Sequence, residues 1–429
     1  MKVLSLFDGM ACGMLAMQKA GIEVDRYVAY EIDKYAVQTS SHNFPMIEHR
    51  GDVFKADFTE FVGFDCLVGG SPCTYWSIAQ KNNRETEASG MGWELFSQYV
   101  RALNEAKPRF FVYENNKSMS KAIRASIDEA FGFEAVCINS ALVSAQNRQR
   151  LYWVGKRNED GTYSKVDIEQ PEDRGILLKD ILEGYCRIPE YGNEEKARPL
   201  NALYPNNCGG WWLRMFSDNP NKQQVGMVTE PVRVGTMPQL NGVLKDNQAT
   251  RIYSIEGKGV TQSAQGGGWG AKTGLYAVPV VEDNVLSDEY YHGGFDGALI
   301  GMVETPMTAR NGKQPSQHCR VYSCEDKAVC LGTDARNRII APYDGKTHPV
   351  YEVKDGQITI KGKTYPIKLA DGFYIIRKLT VRECMRLQTV PEWFEFPVSD
   401  SQAYKMLGNG WTVDVIAYLL SRLPQEALV

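Results

Sequence analysis

The stretch Asp65-Cys-Leu-Val-Gly69-Gly70-Ser71-Pro72-Cys73 decides how the N-terminal part of this chain is read. Its apolar start has the texture of a buried strand, and Gly-Gly-Ser-Pro is a strong turn signal. A strand ending in such a turn presents Cys73 at the carboxyl edge of a sheet, where open α/β folds hold their ligands. A thiol there can act as a nucleophile, although a lone cysteine is more often a small buried apolar residue. The run Phe110-Phe-Val-Tyr-Glu114-Asn115-Asn116 tips that balance, because a second buried strand brings a carboxyl group to the same edge. Upstream of Leu151-Tyr-Trp-Val stands Gln146-Asn-Arg148-Gln-Arg150. In extended chain Gln146, Arg148 and Arg150 share one face, so two cations can neutralise charge beside Cys73 and Glu114. The plainer alternative is a pair of surface arginines.

Working outward, residues 1–155 alternate apolar runs with helix-like stretches, the pattern of a doubly wound α/β domain with a mainly parallel sheet. Strands are expected at Val3–Leu6, Tyr27–Tyr30, Cys66–Val68, Phe110–Tyr113, Phe133–Asn139 and Tyr152–Lys156. Helices are expected at Met14–Ala20, Tyr35–Asn43, Glu94–Glu105 and Lys121–Ala130. Phe7-Asp8-Gly9-Met-Ala-Cys12-Gly13 is then a Gly-bearing turn into a helix N-terminus, which suits close approach of a ligand. Glu31 ends the second strand, where an acid can hold ribose hydroxyls, and Asp52-Val53 follows a third. Two solvated acids at strand ends are the bland alternative.

The segment Arg157–Glu195 carries eleven acidic and five basic residues without periodicity and reads as a connector. Beyond Leu200 the chain is rich in Gly, Asn and Gln with short Val/Tyr/Ile strands, as expected for an irregular β-rich domain. It contains a repeat: residues 248–260 and 317–329 match at seven of thirteen positions, with Arg251 aligned to Arg320, within modules at about 232–280 and 301–343. Two mildly basic stretches there flank the acidic Glu282–Asp296, which has no Lys or Arg. Helical periodicity returns in 377–429. The expected division is 1–155, 156–376 and 377–429, with the last segment completing the first domain.

The chain has 429 residues, 48 Lys plus Arg against 52 Asp plus Glu and a net charge of -4, so bulk charge does not drive binding to polyanions. Nucleic-acid contact must come from local patches. No apolar run is long enough to span a bilayer and no signal-peptide core is seen; a soluble, cytoplasmic protein is expected. Ten scattered cysteines fit free thiols better than a disulfide framework. His318, Cys319, Cys324 and Cys330 match no common zinc spacing, so no metal is expected.

Taken together, these motifs resemble the cytosine-C5 DNA methyltransferases of bacterial or phage type. The ordered matches are Phe7-Asp-Gly9, Glu31, Asp52, Pro72-Cys73, Glu114-Asn115, Gln146 to Arg150, the run Arg377 to Gln388, and Gly408-Asn409-Gly. They cover about 1–155 and 377–429. Phe7–Gly13 departs from the commoner bacterial Phe-x-Gly-x-Gly-Gly and looks more like the loop of the animal de novo enzymes, and Asn116 stands where Val is usual.

The resemblance implies an S-adenosylmethionine-dependent, Rossmann-like domain with a smaller β-rich target-recognition domain. It implies attack of Cys73 on C6 of a flipped cytosine, with Glu114, Arg148 and Arg150 stabilising the base. S-adenosylmethionine would lie along Phe7, Asp8, Gly9, Gly13, Glu31, Ile32, Asp52 and Val53, with Pro72, Leu95 and Asn409 at its edges. Double-stranded DNA would be met by Ser77, Lys81 and Arg84 of the loop after Cys73, and by Arg251 and Arg320 of the repeat. A monomer in a prokaryotic or phage-infected cell is expected, with any cognate endonuclease of a restriction-modification system acting separately. Rival readings are an RNA (tRNA) cytosine methyltransferase, disfavoured by the long insert, and a silent DNA-binding paralogue, disfavoured by the retained Cys73, Glu114 and arginines.

Overall fold

In the computed structural model, residues 1–77, 84–183, 230–238, 244–262, 273–280, 338–341, 346–360 and 362–424 are described. They fall into two compact units: Met1–Ile176 with Thr261–Ala264 and Cys384–Val429, and Leu177–Val260 with Gln265–Glu383.

The first unit is built on strands whose apolar runs are continuous rather than alternating, the mark of strands covered on both faces. They are β1 (Lys2–Leu6), β2 (Arg26–Tyr30), β3 (Glu48–His49), β4 (Cys66–Gly69), β5 (Phe110–Asn116), β6 (Val136–Asn139), β7 (Gln149–Arg157) and β8 (Tyr163–Lys165). All seven residues of β5 and all four of β4 are buried. The sheet order is β3-β2-β1-β4-β5-β7-β6, with β8 on β7. Strands β1 to β5 pair in parallel, and β7 runs antiparallel to both β5 and β6. The order reverses between β1 and β4, so the topological switch point opens there, where doubly wound sheets take ligands.

Helices α1 (Cys12–Lys19), α2 (Lys34–Asn43), α3 (Gly90–Ala106) and α4 (Lys121–Phe131) connect these strands. Helix α4 begins where Ser120 accepts from the Ile123 N–H and ends at left-handed Gly132, an ordinary pair of helix signals. An aromatic cluster fills the core; Tyr99 and Tyr113 stand 4.8 Å apart, Phe111 and Phe131 4.9 Å. The strand expected at Phe133–Asn139 starts only at Val136, because the Ala135 N–H donates to Asp128 of α4 instead of to a ladder. The strand expected at Tyr152–Lys156 is longer, reaching back to Gln149 so that Arg150 pairs with Asn116.

The C-terminal helices are α5 (Val381–Leu387), α6 (Asp400–Asn409) and α7 (Val413–Ser421). Thr380 and Glu383 form a capping box: the Thr380 hydroxyl accepts from the Glu383 N–H at 3.1 Å, and the Glu383 carboxylate from the Thr380 N–H at 2.8 Å. Helix α7 packs on α1, and Lys19 and Arg174 both ion-pair with Asp414.

The second unit is a β sheet of order β15-β14-β13-β16-β11-β10-β9, with β12 on β13. Its strands are β9 (Arg233–Thr236), β10 (Arg251–Ser254), β11 (Leu275–Val280), β12 (Arg338–Ala341), β13 (Lys346–Lys354), β14 (Gln357–Ile360), β15 (Lys363–Pro366) and β16 (Gly372–Arg377). Its core includes Val234, Ile252, Leu275, Val353, Ile358, Ile360 and Ile376. The fold class is thus an α/β Rossmann-like core with a separate β-rich unit. The first repeat copy supplies β10; the second, 317–329, lies outside the described residues, as do Glu282–Asp296 and the His318–Cys330 cluster.

Candidate active site

At the carboxyl end of β1 the chain turns through three left-handed residues, Phe7 (φ 58°), Gly9 (φ 62°) and Ala11 (φ 68°). Two of these carry side chains, a strained arrangement of the kind that gathers at ligand clamps. Asp8, inside this turn, is buried and accepts from the Ser5 hydroxyl at 2.6 Å and the Tyr27 hydroxyl at 2.7 Å, both on Oδ1. Its Oδ2 has no partner among the described residues. Burial, outweighing those two hydrogen bonds, pushes the Asp8 carboxyl up to about 6. Glu31 accepts from the Gly9 N–H at 2.9 Å on Oε2 and from Ile32 and Asp33 N–H groups on Oε1. Helix α1 starts without a side-chain cap, leaving its first N–H groups toward the turn. At Gly13 a Cβ would lie 2.4 Å from the Tyr27 hydroxyl, so a side chain there would break the hydrogen bond that holds Asp8.

Around this cradle, Ile32 is 78% exposed although apolar, Asp52 caps the turn after β3 through the Phe54 N–H, and Val53 is buried. Leu95 packs against the aromatic core from α3, Pro72 is exposed, and Asn409 is exposed at the end of α6. The cradle offers a buried carboxylate with a spare acceptor, a second carboxylate, uncapped N–H groups and an exposed apolar side chain. That set suits a cationic ligand with hydroxyls and a planar ring.

The neighbouring strands bring the reactive groups together. Where β4 ends, Gly69 and Gly70 press on β1 and β5: a Cβ on Gly69 would sit 2.6 Å from the Leu6 carbonyl, and one on Gly70 2.7 Å from the Glu114 carbonyl and 3.0 Å from Glu114 Oε2. Glycine is needed there for close approach. Cys73 follows in a short 3₁₀ turn, half-buried and free. Asn116 Nδ2 donates to its carbonyl at 3.3 Å, and Asn115 donates to the Ser71 carbonyl at 3.1 Å. The Ser71 and Tyr113 hydroxyls are hydrogen-bonded at 2.7 Å. The turn bearing Cys73 is therefore fastened to the strand bearing Glu114 by the side chains of that strand.

Glu114 is buried and paired on both oxygens. Arg150 Nε lies 3.1 Å from Oε1, and the Trp411 indole N–H donates to Oε2 at 2.9 Å. Arg148 is 3% exposed and donates Nη2 to the carbonyls of Gly408 at 3.2 Å and Gly410 at 2.8 Å, while Nη1 has no partner among the described residues. Burial first, and the Arg150 cation second, lower the Arg148 pKa to about 10; Glu114 and Cys73 act in the opposite sense. Trp411 carries a hydrogen bond to the central carboxylate and was not singled out from the sequence. Its one signal is position, immediately after Gly408-Asn409-Gly410.

Arg84 braces the loop after Cys73, donating to the carbonyls of Trp76 at 3.1 Å and Ser118 at 2.6 Å. The Ser77 N–H donates to the Cys73 carbonyl. In the second unit Arg251 is ion-paired with Asp246 at 2.7 Å, as is Arg233 at 3.0 Å. Lys81 and Arg320 lie outside the described residues. Among the described residues no group of three or more His, Cys, Asp or Glu could hold a metal ion, and no helix is long and apolar enough to cross a membrane.

The family model for C-5 cytosine-specific DNA methylase matches residues 1–208 and 315–425. The chain is 26% identical to the orphan methyltransferase M.SPRI of Bacillus phage SPR, and likewise to the orphan methyltransferase M.Rho11sI of Bacillus phage rho11s; each alignment covers 99% of this chain and 97% of the relative. Among solved structures, the Entamoeba histolytica methyltransferase EhMeth superposes with a TM-score of 0.51 at 11% identity, covering 99% of this chain and 98% of that one. This last likeness is one of fold.

Proposed function

The chain belongs to the C-5 cytosine-specific DNA methylase family, a family of S-adenosylmethionine-dependent cytosine-C5 methyltransferases, and from that premise we propose that it methylates cytosine at specific sites in duplex DNA. The observation that carries this reading is Glu114, held buried between Arg150 and Trp411 beside the turn that presents Cys73.

Cytosine C5 is a poor nucleophile until a group adds at C6. Cys73, as thiolate, forms the Sγ–C6 bond, and the ring's electron pair shifts to make C5 enamine-like. Glu114 meets the exocyclic amine and N3, countering charge that develops in the ring, while Arg150 balances the carboxylate's charge and faces the O2 side. Arg148, tied to the Gly408 and Gly410 carbonyls, orders the segment that carries Trp411. Bound S-adenosylmethionine supplies an electrophilic methyl group. Asp8, with its spare oxygen, would face positive charge on that cofactor, Glu31 its ribose, and Ile32 with Val53 its adenine. A base within a duplex cannot reach Glu114, so it is flipped out at a cost of a few kcal/mol. Once C5 carries the methyl group, its proton passes to water as the C6–Sγ bond breaks, which releases the Cys73 thiolate and restores the aromatic ring.

The 156–376 region is assigned to target recognition, Arg251 and Arg320 to phosphate or base contacts, and the whole enzyme to the cytoplasm of a prokaryotic or phage-infected cell. The phage relatives, named orphan methyltransferases, support a role without an obligatory endonuclease partner. The test is transfer of labelled methyl groups to duplex DNA and to RNA, with modified positions mapped at base resolution. Label in duplex cytosines, lost in Cys73→Ala, is expected; label in RNA alone would overturn the proposal.

A further inference from the structure

We propose that Trp411 is a positioning residue for the methyl-transfer step, acting by holding the Glu114 carboxylate in the plane that meets the amino group of the target cytosine. The inference rests on the reading of Glu114 given above. A carboxylate side chain turns broadly about its last bond. One partner, Arg150 on Oε1, leaves that rotation loosely defined. The second, the Trp411 indole N–H on Oε2 at 2.9 Å, removes it. Each oxygen keeps a further acceptor site, so a flipped base can donate to Glu114 while the indole stays in place.

The indole can serve as a fixed reference because its own segment is held from several sides. The Trp411 backbone faces the Cys12 thiol at the start of α1. A Cβ on Gly410 would lie 3.1 Å from that same sulfur, so the segment runs close against α1. Arg148 clamps the carbonyls of Gly408 and Gly410. Gln388 donates to the Leu407 carbonyl at 2.7 Å and accepts from the Thr412 hydroxyl at 2.8 Å. Trp411 thereby joins the first turn of the helix beside the Asp8 cradle to the carboxylate of the base pocket.

A positioning role aimed at the amino group makes a prediction that a general packing role does not. Single-turnover transfer is measured on a duplex carrying the mapped site and on the same duplex with 2-pyrimidinone, which lacks the 4-amino group, at the target. In Trp411→Phe the rate on cytosine is expected to fall about tenfold, the scale of one hydrogen bond to a charged group. The rate on 2-pyrimidinone is expected to change less than about twofold. Equal slowing on both duplexes, or no slowing on cytosine, would overturn the inference. If the Phe variant does not fold, 3-benzothienylalanine at position 411 keeps the shape and removes only the N–H, with the same expected ratio. Glu114→Gln separates the two readings: if it leaves cytosine methylation intact, the role of Glu114 falls and this inference with it. If it slows cytosine methylation while the position-411 variants do not, only the present inference fails.

Discussion

Asp8 keeps a carboxylate where the protein alone would prefer a neutral group. Its pKa is raised to about 6 by burial, against an ordinary value of 3.8. Between those two values the folded protein binds more protons than the unfolded chain, so stability falls as pH rises from about 4 to about 6 and is then flat. Asp8→Asn can still accept from Ser5 and Tyr27 and lacks the charge. It should be more stable than the parent at pH 7.5 by up to about 3 kcal/mol, with the gap closing as pH falls below about 6. Thermal melts across that range check this. Arg150 poses the opposite case: Arg150→Met leaves Glu114 with one charged partner fewer in a buried site. A loss of roughly 10²-fold in transfer rate is expected, larger than the loss in DNA binding.

At the scale of elements, the β4 turn shows how sequence and packing share the work. Strand, Gly-Gly and Cys73 were all legible, because turn residues and apolar runs are local signals. The reason for two glycines was not, because it lies in β1 and β5: the Leu6 and Glu114 carbonyls leave no room for a Cβ. Gly70→Ala is therefore expected to displace Glu114 and to reduce transfer by roughly 10²-fold. Cofactor-induced stabilisation should stay within about 1 kcal/mol of the parent, as differential scanning would show. Trp411 was illegible for a related reason, since its partner is 297 positions away in the chain. Periodicity reports what a residue's own helix or strand buries and is silent on such distant pairs. The capping box at Thr380 and Glu383 was open to reading but was not seen, and Glu383 does a second task there. Its carboxylate takes Arg377 Nη1 and Nη2 at 2.7 Å each, both side chains nearly fully buried. Glu383→Gln removes the negative charge from a buried ion pair and should cost about 3–5 kcal/mol of stability, measurable by urea unfolding.

At the scale of the whole molecule, the net charge of -4 conceals a partition. Acidic excess is concentrated in Arg157–Glu195 and Glu282–Asp296, leaving Arg148, Arg150 and the mildly basic stretches of the second half unopposed in sequence. The strand order of the second unit could not be read from sequence, since β16 enters between β13 and β11 after long excursions of the chain. The first unit is likewise completed from afar. Val413, Val415, Ile416, Leu419 and Leu420 of α7 are fully buried, worth roughly 8–15 kcal/mol by side-chain transfer. That equals the entire stability of an ordinary domain, so a chain stopped after Glu383 is expected to leave its first unit sensitive to trypsin.

This late completion sets the order of events at the ribosome. Cys73, Glu114 and Arg150 emerge early, and Arg148 emerges with its acceptors, Gly408 and Gly410, still some 260 codons from translation. Until then α1 has no α7 to cover it and Glu114 has no indole. The nascent chain thus holds the Cys73 thiol and the Glu114 carboxylate long before the indole that steadies that carboxylate exists, and the arrangement around Glu114 is assembled only once residue 411 has left the ribosome.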